Sequence, residues 1–249
     1  MGFFEHLEEF RRRLVVSLIA LAVSFGVCWS QASRLFEFLA KPLRQVLPEG
    51  QNLAYTTLTE PFLLYVRVAL LFGIVLASPI LLWQLWLFIA PALYRKEKRY
   101  AIPFIVSSVV LFGAGCAFGY AQAFPVVVRF LVGMGQDFQA VITINQYLAT
   151  ASKIILGLGI CFQLPILVFF LARMGVVTER FLLAKFKYAV LAIFVIAAIV
   201  TPTPDIATQL LFAIPMILLY LLGVGVAFLF KKRDEKIAAR QEAETSAES

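Results

Sequence analysis

Six long stretches of this chain contain no Asp, Glu, Lys or Arg: Leu14–Ser33, Val68–Tyr94, Tyr100–Val128, Ile154–Ala172, Tyr188–Pro204 and Ile206–Phe230. An α-helix rises about 1.5 Å per residue, so about 20 apolar residues cross a hydrocarbon layer about 30 Å thick. Each stretch reaches or approaches that length. Lipid offers no partner to an open backbone N–H or C=O, so spanning segments of this kind must be helical. A membrane β-barrel would show alternating strands of about 10 residues, whereas these stretches are continuously apolar. With 61% hydrophobic and only 15% charged residues in 249, the chain carries more apolar surface than one soluble core of this size can hide. A soluble enzyme, a disordered protein and a disulfide scaffold are excluded on that ground.

The formal net charge of +7 reads as a topology signal, not as a nucleic-acid footprint. Sixteen of the 22 basic residues fall on one set of connecting segments. They are Arg11, Arg12 and Arg13; Arg95, Lys96, Lys98 and Arg99; Arg173, Arg180, Lys185 and Lys187; and Lys231, Lys232, Arg233, Lys236 and Arg240. The alternate segments hold Arg34, Lys41, Arg44 and Arg129, while Arg67 and Lys153 flank the outer ends of spans two and four. Such an excess marks the cytoplasmic side. Both termini lie there, and the span number must be even.

The expectation is therefore an all-α, polytopic membrane protein with six transmembrane helices and both termini cytoplasmic. Residues 1–230 form one membrane domain, with spans near 14–33, 65–90, 101–124, 150–172, 186–201 and 206–230 and an outer cap over 34–61. Residues 231–249 read as a disordered cytoplasmic tail, rich in Glu, Ala and Ser. Pro79, Pro103, Pro165 and Pro215 lie in or near the spans. Kinked helices of unequal length make a curved, open bundle. Phe3, Leu7, Phe10 and Leu14 form one apolar helix face leading into span one. Leu35, Leu39, Leu43 and Val46 predict an amphipathic outer helix interrupted at Pro42. Pro125 to Tyr147 predicts a second outer segment. The apolar part of span five, Tyr188 to Val200, covers only about 20 Å. Either Phe181 to Phe186 extends it, or the bilayer thins there.

Little in the spans can carry chemistry. Cys28, Cys116 and Cys161 are isolated in apolar runs, and His6 is the only histidine. No metal or cofactor is expected, and no nucleophile–base set, carboxylate dyad or metal cluster supports an enzyme. A small-solute channel or secondary transporter is the alternative reading. It predicts ionisable residues or broken-helix pairs at mid-membrane, and the spans show neither. The clearest mid-span polar residue is Gln163. An unpaired amide in lipid costs several kcal/mol, so it needs a partner on this chain or on another protein. Glu97 stands alone in Arg95-Lys96-Glu97-Lys98-Arg99, and Glu8 and Glu9 precede Arg11-Arg12-Arg13. Two readings are open. Glu8–Arg12 and Glu9–Arg13 are i, i+4 pairs that form local salt bridges. Alternatively, two carboxylates at the inner surface grip a cationic ligand, for which guanidinium groups are best suited through paired hydrogen bonds.

His6-Leu7-Glu8-Glu9-Phe10-Arg11-Arg12-Arg13-Leu14 resembles the amino-terminal motif of the TatC family, the multi-spanning receptor subunit of the twin-arginine protein translocase. The resemblance continues through Lys41-Pro42-Leu43, Glu60-Pro61-Phe62 and Ser78-Pro79-Ile80. It is strongest over Gln84-Leu85-Trp86-Leu87-Phe88-Ile89-Ala90-Pro91-Ala92-Leu93-Tyr94, with Glu97 and Arg99. It resumes at Phe162-Gln163-Leu164-Pro165, Thr201-Pro202 with Asp205, and Ala213-Ile214-Pro215-Met216. The resemblance implies an inner-membrane receptor for twin-arginine signal peptides of folded proteins, with Glu9 and Glu97 contacting the arginine pair. Arg11, Arg13, Phe88, Tyr94 and Arg99 would support that cytoplasmic site. Gln163 would contact single-span partners of the TatA and TatB type, docked along spans five and six, with further copies of the chain in the complex and transport driven by the proton-motive force. Pro42, Phe62, Pro79 and Asp205 take structural or outer-face positions. Three departures stand out. Phe10 replaces the usual Leu, Thr203 adds a residue to a Thr-Pro-Pro-Asp pattern, and Gln163 is neutral where many relatives carry Glu.

Overall fold

The computed structural model describes residues 3–45, 53–89, 101–135, 141–173, 178–201, 203 and 205–247. Its helices are α1 (Phe3–Ser30), α2 (Ala32–Arg44), α3 (Glu60–Ile89), α4 (Ala101–Phe118), α5 (Phe124–Met134), α6 (Ile144–Cys161), α7 (Leu164–Arg173), α8 (Glu179–Ala184), α9 (Phe186–Val200) and α10 (Ile206–Ala247). Five stretches among the described residues are long and apolar enough to cross a membrane: Leu7–Ser30, Glu60–Phe88, Ile102–Met134, Ile144–Ala172 and Ile206–Leu229. The shorter apolar helix α9 follows α8. α1 lies along α3, α4 packs on α3 and α6, α7 on α10, and α9 on α10 and α6. The main apolar core gathers Leu39, Leu43, Val68, Phe124, Leu148, Leu158, Phe212 and Met216 from α2, α3, α5, α6 and α10. A smaller cluster of Trp86, Ile105, Ile166 and Phe170 joins α3, α4 and α7.

Pro79 and Pro42 lie inside their helices without ending them, because side chains replace the hydrogen bonds that these prolines remove. Pro79 has no N–H for the Val75 carbonyl, and the neighbouring Ser78 hydroxyl donates to that carbonyl at 2.7 Å. The expected interruption of the outer helix at Pro42 does not occur: α2 runs through it to Arg44. The carbonyl that Pro42 leaves open belongs to Phe38, and the Tyr120 hydroxyl donates to it at 2.6 Å. Tyr147 donates to the next carbonyl, Leu39, at 2.6 Å. Two tyrosines from elsewhere in the chain thus hold the end of α2.

Tyr120 reaches α2 from a five-residue π-helical turn, Gly119–Ala123, between α4 and α5. Pro125 lies just beyond. Its missing donor and bulky ring disfavour regular pairing with Ala121, and the wider turn, with Phe124 N–H bonded to the Gly119 carbonyl, absorbs both. In place of a span ending near 124 and a separate outer segment from Pro125, one continuous helical rod therefore runs from α4 through α5. Tyr120→Phe and Tyr147→Phe are each expected to cost about 1 kcal/mol. Together they should lower Tm by several degrees in a detergent melt; an unchanged Tm would remove the clamp.

Two further differences concern α8 to α10. Phe181 to Phe186 does not lengthen span five: α8 ends at Ala184 and Lys185 turns the chain into α9. With 15 residues, α9 is about 22 Å long. Its last turn meets the Lys153 ammonium, which donates to the Thr201 carbonyl at 3.2 Å, a favourable charge at a helix C-terminus. In place of a disordered tail, α10 continues through Ala247. Residues 231–247 are mostly Ala, Glu, Lys, Arg and Gln, all good helix formers. They extend a helix already nucleated by the span, so no new nucleation cost arises.

Candidate functional site

The charged start of α1 is held against the end of α3. The Phe10 and Phe88 rings meet with centroids 5.4 Å apart. One turn further along α1, Arg13 reaches both elements. Its Nε donates to Glu9 Oε1 at 3.1 Å, its Nη2 ion-pairs with the same oxygen, and its Nη1 lies 3.5 Å from Gln84 Oε1. A cavity of about 580 Å³ opens here, lined by Glu5, Glu8, Glu9, Arg12, Arg13 and Gln84, with Val16 and Leu87 as its apolar members.

This arrangement settles part of the local charge pattern. The i, i+4 pair Glu9–Arg13 forms. Glu8 and Arg12 make no ion pair among the described residues, although both line the cavity. Arg11 is exposed and does not line it. Tyr94, Glu97 and Arg99 lie outside the described residues. Of the residues expected to support a cytoplasmic site, the structure therefore brings together Glu9, Arg13 and, through its contact with Phe10, Phe88. Gln84 was not singled out from the sequence. It is one polar residue in a span and becomes conspicuous only when α1 lies beside it.

Gln163 sits where α6 breaks before α7. Pro165 supplies no N–H, and the backbone tightens locally, with Gln163 N–H on the Ile160 carbonyl at 2.9 Å. The amide turns away from this kink and towards α4. Its Nε2 donates to the Ser108 carbonyl at 2.9 Å, and its Oε1 accepts from the Ser108 hydroxyl at 2.5 Å. Ser108 Oγ also accepts from Trp86 Nε1 at 2.9 Å. A polar chain Trp86–Ser108–Gln163 therefore ties α3, α4 and the α6–α7 break together within the apolar layer. The intramolecular reading of Gln163 has its partner, and that partner is Ser108.

Of the remaining positions, Phe62, Pro42 and Asp205 lie towards the other end of the spans, and Pro79 lies within α3. Phe62 is exposed at the start of α3, and its ring meets Trp29 edge-on at 6.0 Å. Pro42 is buried in α2, and Pro79 is an exposed residue inside α3. Asp205 caps α10: its Oδ1 accepts from Thr208 N–H at 2.7 Å, and its Oδ2 from the Thr208 hydroxyl at 2.5 Å, satisfying donors that a helix start leaves open. Desolvation pushes the Asp205 carboxyl up. Hydrogen bonds from the Thr203 and Thr208 hydroxyls and the Thr208 and Ala207 backbone outweigh it and hold the group below its ordinary range. The cap is thus present at neutral pH and is lost as acid protonates it.

Comparison with known proteins agrees with this architecture. Residues 5–215 match the family model described as Sec-independent protein translocase protein (TatC). The Sec-independent protein translocase protein TatC of Koribacter versatilis is 46% identical over 251 residues, covering 100% of this chain and 92% of that protein. That of Desulforapulum autotrophicum is 43% identical over 95% of this chain and 89% of its own length. A crystal structure of the twin arginine translocase receptor TatC in DDM superposes with a TM-score of 0.79 at 36% identity, covering 89% of this chain and 99% of that one. The chain belongs to the TatC family and is a subunit of the twin-arginine translocase, a protein-transport component and not an enzyme.

Proposed function

We propose that this subunit is the receptor for twin-arginine signal peptides of folded proteins, and that Glu9 and Glu97 accept the two guanidinium groups at the cytoplasmic face of the inner membrane. The observation that carries the reading is the state of Glu9. Its carboxylate already holds a guanidinium, that of Arg13, at the edge of an open cavity. Carboxylate–guanidinium contacts are worth about 1.5–3 kcal/mol per charge-assisted hydrogen bond. Arg12 and Arg13 beside the site limit attraction of merely basic peptides. The basic-residue bias of the sequence supports a cytoplasmic position for both termini, and with them for this site.

In the same reading, single-span proteins of the TatA and TatB type, and further copies of this chain, assemble on the receptor for transport driven by the proton-motive force. α9 and α10 supply apolar surface for such helices: Leu191, Ile199, Ile214 and Leu218 are all exposed. Gln163 retains one amide hydrogen beyond its bond to Ser108 and remains available to a partner side chain. Site-specific crosslinking tests the central claim. Glu9→Gln and Glu97→Gln are each expected to reduce crosslinking of a twin-arginine signal peptide at least tenfold. Wild-type yield in both would remove the assignment.

A further inference from the structure

Both contacts between Arg13 and Glu9 fall on one oxygen, Oε1. Oε2 has no partner among the described residues. The two side chains are 20% and 21% exposed, so the pair is partly desolvated yet open to a ligand through the cavity that both line. The third nitrogen of the same guanidinium is aimed at Gln84 Oε1 but stands 3.5 Å away, at the outer limit of a hydrogen bond. Arg13 is thus tightly held on one side and loosely presented on the other.

We propose that Arg13 is an internal stand-in for the ligand's arginine, and that Gln84 is the positioning residue that takes Arg13 over when a ligand arrives. The proposal rests on the reading of Glu9 as a ligand carboxylate. A guanidinium binds a carboxylate best through two parallel N–H donors, one to each oxygen. An incoming arginine reaches the free Oε2 first, and completing the pair requires Oε1. Arg13 must then leave, and the acceptor towards which it already points is the Gln84 amide oxygen. Gln84 is neutral, so in the resting state it does not outbid Glu9 for Arg13. After exchange it keeps the displaced cation bonded and away from the ligand. The result is a threshold: any cationic ligand must pair with Glu9 better than an arginine already in place. A lysine ammonium is a point donor without the planar fork and falls below it.

Binding of a fluorescent twin-arginine signal peptide to the full chain in detergent tests this. Arg13→Gln is expected to tighten binding roughly three- to tenfold and to make a twin-lysine version of the peptide bind measurably. Arg12→Gln removes the same charge from the same cavity without freeing Glu9, and should tighten binding less. Gln84→Leu should weaken binding about two- to fivefold when Arg13 is present, and change nothing in the Arg13→Gln background, because Gln84 acts only through Arg13. Three outcomes overturn the exchange: no tightening in Arg13→Gln, equal tightening in Arg12→Gln, or an equal effect of Gln84→Leu in both backgrounds. If Arg13→Gln does not fold, Arg13→Lys keeps the charge on one nitrogen without the planar fork and should tighten binding partially; unchanged or weaker binding counts against the exchange. Glu9→Gln separates the two levels. Wild-type binding there removes the receptor site itself, whereas lost binding there without tightening in Arg13→Gln removes the exchange alone.

Discussion

Gly115→Ala is expected to destabilise the membrane domain by about 2–4 kcal/mol, although it adds one methyl group to an apolar helix. That methyl carbon would stand 2.6 Å from the Leu158 carbonyl oxygen and 2.9 Å from both Gly159 Cα and Phe162 Cβ. Two of the three neighbours are backbone atoms, which no rotamer change moves aside. α4 and α6 must separate, and they are in contact along much of their length. Gly119, one turn on, makes the same kind of approach, with its added carbon 3.1 Å from Ile155 Cα. Small residues four apart are the usual way for membrane helices to gain packing energy where lipid offers no hydrophobic drive. Gly113 provides the contrast. A methyl there meets nothing within 4 Å, so Gly113→Ala should leave stability unchanged or raise it by about 0.5–1 kcal/mol through helix propensity. Thermal unfolding of both variants in one detergent decides the matter. Equal melting temperatures for Gly113→Ala and Gly115→Ala would show that α4 and α6 do not approach this closely.

The contrast between those two glycines also shows where sequence reading stops. Both stand in one apolar run, and nothing local distinguishes them. Only the register between α4 and α6 does. The spans were legible because lipid imposes a uniform rule on every residue inside it, and charge-free length records that rule directly. Glu9 and Arg13 were legible because one helical turn separates them. Gln163 was legible as a polar residue that needs a partner, but Ser108 was not, since it lies 55 residues away and the sequence offers many serines. Pro42 was misread for a similar reason. Proline removes a donor from its own helix, and the replacement comes from Tyr120, on another helix. The helical tail after residue 231 shows a different limit. Low hydrophobicity suggests disorder, whereas Ala, Glu, Lys and Arg are also what a solvated helix extension requires.

Ser108→Ala is the other substitution with a large expected effect, and the hydroxyl it removes is fully buried. Ser108 Oγ accepts from Trp86 Nε1 and donates to Gln163 Oε1. Its loss leaves an indole N–H and an amide oxygen without partners at a point where water is scarce. Each orphaned group costs about 1–3 kcal/mol, but intramembrane hydrogen bonds measure at the low end of such values, so about 2 kcal/mol in total is expected. Gln163→Leu should cost less. It removes one partner of the chain, yet Ser108 still accepts from Trp86 and its hydroxyl can turn to a carbonyl of its own helix. In the double variant Gln163 no longer presents an amide to be orphaned. Adding Ser108→Ala to Gln163→Leu should therefore cost clearly less than adding it to the wild type. Melting curves of the four proteins give the coupling directly. Additive losses would mean that Ser108 and Gln163 do not act as one chain, and the amide at the α6–α7 break would then be free to serve another helix.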